Sequence, residues 1–185
     1  MAATDAVTAT AERNAPPPIE SPEVRIARSW QRSVEMYHLD PWRREAPHVL
    51  TAEALREHRE RIGPLLDVAR SGMQTLFRQV RDAGYVVLLT DPQGVAVDFI
   101  GNPALDRELH HAGLHLGGCW AEEYEGTCAV GLSLIDRRPI TVHHGEHFRA
   151  CNASLTCSAA PILAPDGSLL AVLHAPAPGS PGDPR

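Results

Sequence analysis

Lysine is missing from this sequence altogether; all 17 basic residues are arginine. That removes the residue on which a Walker-type phosphate loop or a Schiff-base enzyme depends. No apolar run approaches the roughly 20 residues that span a bilayer. The first 14 residues carry no basic-then-apolar leader. Cysteine is sparse, four in all, and no two form a CxxC pair, which speaks for reduced thiols in the cytoplasm. Basic charge is in deficit too: 23 acids against 17 arginines leave −6 with histidine neutral. Such a balance lacks the basic stripe of a nucleic-acid surface. Aromatics are only three Trp, three Tyr and three Phe, so each one marks a place where large apolar area must be buried or used. A soluble cytoplasmic protein is expected.

What is present is one domain's worth of chain, 185 residues. Residues 1–20 are Ala, Thr and Pro with few large apolar side chains and read as a disordered tail. Residues 175–185, rich in Pro and Gly, read as a flexible C-terminal tail. Residues 21–84 carry helices. Ser21-Pro22-Glu23 is a helix start, and Ile26, Trp30, Val34 and Tyr37 then recur at helical spacing to about Leu39, before Asp40-Pro41. A second helix follows Thr51, and a third runs from Pro64 to Ala83 with Gly84 beyond its last turn. Residues 85–174 read as sheet and loops. Tyr85 to Thr90 and Val95 to Ile100 form a hairpin about Asp91-Pro92-Gln93-Gly94. Leu132 to Ile135 and Pro139 to Val142 read as short strands, and Ser158 to Leu163 with Ser168 to His174 as a last hairpin. Helices followed by an antiparallel sheet define an α+β domain.

Chemistry-bearing residues gather between 119 and 157. His143-His144-Gly145-Glu146-His147 has a four-residue His offset, but Gly145 is a poor helix interior and no third ligand is evident, so no metal is expected. Trp120, Tyr124 and Phe148 flank a glycine-rich stretch and suit the wall of an apolar cavity. Glu122, Glu123 and Glu125 read as a solvated acidic loop. Cys157, on a strand, reads as a small buried hydrophobe. Cys128 sits among small residues that admit close backbone approach.

Trp120-Ala121-Glu122 followed by Gly126-Thr127-Cys128-Ala129-Val130-Gly131 resembles the W-S-E-x-x-x-G-T-N-A-I-G segment of GAF sensor domains in acetoin-catabolism-regulator-like (AcoR-type) sigma-54-dependent transcription activators. Glu146-His147-Phe148 and Thr156-Cys157-Ser158-Ala159-Ala160-Pro161-Ile162 are similar to that family's E-H-F and T-C-S-A-A-P-I. The helix Ile26 to Ser33, with Leu39-Asp40-Pro41, resembles its opening. The likeness runs in order from about residue 24 to 173. It implies a central antiparallel sheet with helices on one face and a loop-built pocket on the other, preceded by the N-terminal helical segment. It also implies a sensor that binds a small organic effector, a ketone, alcohol or phenol, without turnover or cofactor. Trp120, Glu122, Thr127, Cys128 and Phe148 carry over as pocket residues, with Tyr124 added from the aromatic pattern. A homodimer is expected, with the ATPase and DNA-binding modules supplied by a partner or a longer parent chain. Two positions depart from the pattern: the family's Asn is Cys128 here, and an acid after the last strand is His174. A fainter similarity, to free methionine-(R)-sulfoxide reductases, would make Cys119, Cys128 and Cys151 redox residues.

Overall fold

A computed structural model describes residues 20–43, 45–102, 109–110 and 112–178. Helix α1 is Pro22–Glu35, entered from Ser21 in extended backbone with Pro22 in the first turn and Glu23 beside the positive helix end. It stops short of Leu39, and His38 turns left-handed at φ 52° just beyond it. Its buried side is not the expected stripe. Arg25, Ile26, Ser29 and Ser33 are buried, whereas Val34 lies half in solvent. Two serines on one face let the helix lie close to its neighbours, and the arginine finds a carboxylate there.

Helix α2, Ala52–Arg61, is capped by Thr51, whose hydroxyl accepts the Ala54 N–H at 3.3 Å. Helix α3 is Gly63–Val80. A single 3-10 turn leads to Gly84 at φ 81°, the left-handed residue that ends the helical half. Strand β1 is Val87–Thr90 and β2 is Ala96–Ile100. The Asp91 carboxylate shapes the turn between them by accepting the N–H groups of Gln93 and Val95, each at 3.0 Å.

Helix α4 is the single turn Glu122–Glu125, and α5 is Ala129–Asp136. Residues 132–135 therefore belong to a helix, not to the strand expected there. Ala129 through Ser133 are all buried, so the segment shows no helical polar–apolar period, and a short apolar run by itself does not separate strand from helix. Strands β3 (Ile140–His143), β4 (Leu155–Leu163) and β5 (Leu169–Pro178) complete the fold. The last strand continues through residues 175–178, beyond the boundary expected at 174, because Ala175 to Pro178 stay in register with Ser158 to Leu155. Residues 1–19 and 179–185 of the two expected tails lie outside the described residues.

The five strands form one antiparallel sheet ordered β2-β1-β5-β4-β3. One face, through Val87, Leu89, Val97 and Ala171, packs on Met73 and the apolar side of α3. The other, through Leu88, Val172, Ala159, Cys157 and Val142, is covered by α1, α5, Trp120 and neighbouring loops. Helices thus stand on both faces, and the loop-built layer is completed by α1, α4 and α5. No helix among the described residues is long and apolar enough to cross a membrane.

Helix α1 is fixed to this layer by directed bonds. Arg32 grips Glu122 with two hydrogen bonds, Nε–Oε1 at 2.9 Å and Nη2–Oε2 at 2.8 Å. Arg25 donates to Asp136 at 2.6 Å and to the Pro139 carbonyl at 3.0 Å. The Trp30 indole N–H donates to the Glu146 carbonyl at 2.7 Å. Glu125 is also buried and receives Arg149 and Asn152 at 3.2–3.4 Å. The stretch around Glu122 and Glu125 is therefore not a solvated loop: both acids are buried in ion pairs, and only such pairing makes a buried carboxylate tolerable. Arg32→Ala is expected to cost about 3 kcal/mol or more, because it strands the Glu122 charge in the interior. The double variant R32M/E122L should regain most of that loss in urea denaturation; equal instability of both variants would show that the pair is not what holds α1.

Candidate functional site

The layer between the sheet and α1, α4 and α5 contains five of the six residues singled out from the sequence. Trp120 is buried, its backbone N–H donating to the Gly94 carbonyl at 2.8 Å and its indole N–H to the Gly113 carbonyl at 3.2 Å. Phe148 is buried against the Trp30 ring, with centroids 4.8 Å apart. Its backbone N–H donates to the Thr127 carbonyl at 3.0 Å. Gly126 makes this junction possible: it sits at φ 66°, ψ −150°, and a Cβ there would lie 2.6 Å from the Phe148 ring. Tyr124 stands apart at the surface, stacked on the His48 ring at 4.3 Å.

Cys128 occupies the N-cap of α5. Its thiol accepts the Gly131 N–H at 3.3 Å and donates to the Trp120 carbonyl at 3.2 Å. The thiol thus does the work of a capping side chain where the resembling family has an amide. Burial holds its pKa well above the ordinary thiol value. Glu122 is likewise committed, to Arg32.

The remaining thiols do not assemble into a reactive group. Cys119 is buried and Cys151 exposed, and both are free. Each has its own weak acceptor, the Gln93 carbonyl at 3.8 Å and the Asn152 side-chain oxygen at 3.7 Å. Burial raises the pKa of both, the reverse of what activates a nucleophilic thiol. Cys157 is buried, its pKa pushed up to about 12. Among the described residues no cluster of His, Cys, Asp or Glu is arranged to hold a metal ion.

Two residues that the sequence analysis left out as ligands stand at the centre of this layer. His174 lies mid-sheet, paired with Leu88 on one side and Ala159 on the other. It is 1% exposed, and its ring meets Trp120 at a centroid distance of 5.6 Å. Neither ring nitrogen has a hydrogen-bond partner among the described residues. His147, from the segment that carries Phe148, is 2% exposed and has Nε2 unpartnered. The Thr127 hydroxyl is buried and unpartnered in the same way. Ser29 and Ser133 also have buried unpartnered hydroxyls, but they lie on α1 and α5, which pack on each other. Desolvation lowers the pKa of His147 to about 4 and that of His174 to about 3, the neighbouring His147 adding to the latter. Both rings are neutral at pH 7. The signal in the sequence was the occurrence of a histidine in an otherwise apolar strand, Ala171-Val172-Leu173-His174, but that strand is covered on both faces and its alternation assigns no direction to the ring.

A groove of about 620 Å³ lies elsewhere, against the helical face, lined by Leu55, Arg56, Arg59, Leu66, Arg70 and Asp98 among others. Two of its ion pairs are local, Arg70 with Asp98 at 3.9 Å and Arg56 with Glu60 at 3.8 Å. The groove therefore presents a mixed, open surface, whereas the sheet layer presents unsatisfied groups.

Comparison with known proteins agrees with this architecture. The model of the MimR N-terminal domain family matches residues 14–176. The acetoin catabolism regulatory protein of Cupriavidus necator is 49% identical over 156 residues, 84% of this chain and 23% of the relative. The acetoin dehydrogenase operon transcriptional activator AcoR of Bacillus subtilis is 29% identical over 161 residues, 87% of this chain and 26% of the relative. The chain thus spans about a quarter of the length of these curated relatives. Among solved structures, the Escherichia coli DhaR(N)–DhaL complex contains a chain of the same fold, with a TM-score of 0.79 at 20% identity, over 88% of this chain and 55% of that one.

Gly126→Ala should destabilise the domain by about 1–3 kcal/mol from backbone strain alone, and more once Phe148 is displaced; a thermal melt unchanged by this substitution would contradict the geometry described. The histidines predict acid sensitivity. Their folded pKa values lie below the unfolded value of 6.5, so the unfolded state binds more protons between those limits. Stability is then complete above about pH 6.5 and declines as pH falls toward 4, by up to about 1.4 kcal/mol per pH unit and per histidine. Urea titrations of wild type and His174→Met across pH 4–7 check this, the variant being expected to show the shallower acid slope.

Proposed function

The chain belongs to the MimR N-terminal domain family, and from that premise we propose that it is the effector-sensing module of a sigma-54-dependent transcription activator, binding a small organic molecule without turnover. The observation that carries this reading is the 49% identity, over nearly the whole domain, to a regulator of acetoin catabolism. The buried layer around Trp120, Thr127, Cys128 and Phe148 supports it, with Glu122 and Tyr124 at its margin. Apolar walls with a few convergent polar groups are the usual make-up of a small-molecule site. The effector class is a short ketone, alcohol or phenol, with acetoin first among the candidates because two relatives are named for it.

The ATPase and DNA-binding functions of such an activator would reside in a longer parent chain or a partner. Signalling requires only that the effector bind one arrangement of the domain better than another. Helix α1 is the natural element to respond, since Trp30 touches both Phe148 and the Glu146 carbonyl. A homodimer through α1 is part of the proposal, supported by Val24, Val34 and Met36, which are 48–63% exposed.

Thermal shift of the purified chain with acetoin, acetone, propan-2-ol and phenol tests the reading. Saturation a hundredfold above the dissociation constant stabilises a domain by about 2.7 kcal/mol, so a clear upward shift with at least one compound is expected. Flat melts for all four at millimolar concentration would remove effector binding as the function. Light scattering during size exclusion should give twice the chain mass.

A further inference from the structure

We propose that Thr127, His147 and His174 form the polar end of a buried site for a small uncharged molecule that carries a hydroxyl group, an alcohol or hydroxyketone. This rests on the sensor reading above and goes beyond it by specifying which hydrogen bonds the effector must supply. The three side chains are 0%, 2% and 1% exposed, and four of their hydrogen-bonding atoms lack a partner among the described residues. Buried polar atoms are paired in the great majority of cases, so a cluster of exceptions calls for a function. The cluster is a local one. Thr127 is bonded through its carbonyl to Phe148, the residue next to His147. The Trp120 ring meets His174 at 5.6 Å, and the Trp120 carbonyl accepts the thiol of Cys128, the residue after Thr127, at 3.2 Å.

The proton inventory selects the ligand. His147 Nδ1 stands 3.0 Å from the His144 carbonyl, and only an N–H can meet a carbonyl there. In the neutral ring Nε2 is then a bare acceptor. A molecule in the site must therefore bring a donor, which a simple ketone or diketone lacks. Neutral His174 offers one N–H and one lone pair, and Thr127 can donate or accept. The complement is a hydroxyl for His147 and a second oxygen, carbonyl or hydroxyl, for His174 and Thr127. A carboxylate is disfavoured because the buried or part-buried arginines of this layer, Arg25, Arg32 and Arg149, are bound to Asp136, Glu122 and Glu125. All these atoms are sealed from solvent, so entry requires part of the covering layer to open.

The test is calorimetric titration of the full chain with 3-hydroxybutan-2-one, butane-2,3-diol, butane-2,3-dione, butan-2-one and lactate. The two hydroxyl-bearing neutral compounds should bind at least tenfold more tightly than the dione or the ketone, and lactate should not bind. His147→Leu and Thr127→Val should each weaken binding of the hydroxyl compounds at least tenfold. Thr127→Val removes only an unpartnered hydroxyl and should not lower the melting temperature, whereas His147→Leu also loses the Nδ1 bond to the His144 carbonyl and is read by affinity. Should a variant fail to fold, nitrogen chemical shifts of the wild-type imidazoles decide instead: His147 Nε2 is expected to move on addition of 3-hydroxybutan-2-one. Equal affinity for dione and hydroxyketone would overturn the proposal and leave the sensor reading in place. So would an Nε2 shift that signals a hydrogen bond before addition and does not change after it, meaning that water alone serves these atoms. Absence of binding by every compound here and in the broader panel would overturn both.

Discussion

The bidentate pair between Arg32 and Glu122 is the constraint around which this domain is arranged. A five-stranded sheet with two apolar faces must be covered twice. The α2–α3 side achieves this by ordinary hydrophobic packing on Met73 and its neighbours. The opposite side is assembled from the single turn α4, the eight-residue α5, loops and α1, whose buried stripe includes two serines and an arginine. Such a stripe contributes little hydrophobic free energy, so directed bonds carry more of the attachment. Arg32–Glu122, Arg25–Asp136 and Trp30–Glu146 fix the helix at three levels and set its distance from the sheet.

A lid held by specific bonds differs from one held by diffuse packing. Charge-assisted bonds are strong when geometry is kept and are lost abruptly when it is not. Such bonds hold α1 in one defined position on the layer. The segment containing Glu146, His147 and Phe148 joins this helix to the interior, because its backbone and aromatic ring meet Trp30 while the His147 ring is buried. A molecule that pulls on His147 would therefore act on α1 through two residues, a short route for a small ligand to reach the outside of the fold.

The same layer shows a thiol taking the part of a capping side chain. Cys128 keeps the cap of α5 through two sulfur hydrogen bonds and keeps the chain's close approach to Trp120. The price is a thiol locked in its protonated form by burial. His174 is the opposite case. Its ring nitrogens have no hydrogen-bond partner among the described residues, a state that costs stability and that natural proteins tolerate chiefly where function requires it.

Much of the fold was legible along the chain. Ser21-Pro22, Thr51 and Gly84 marked helix ends by local hydrogen bonding and backbone conformation, and Asp91-Pro92-Gln93-Gly94 marked the first hairpin. Ordered motifs from residue 24 to 173 pointed to the family, and five of six candidate residues lie in one buried layer. What the sequence determined by itself, then, were features set by neighbours within a few positions, together with the lineage. The tertiary structure alone decided the rest: that residues 132–135 wind as a helix, that Glu122 and Glu125 are buried in ion pairs, and that His147 and His174 are both interior. Each of these depends on partners distant in sequence, as Glu122 does on Arg32 and His174 on Trp120. Burial on every side also erases the polar–apolar period from which direction is read.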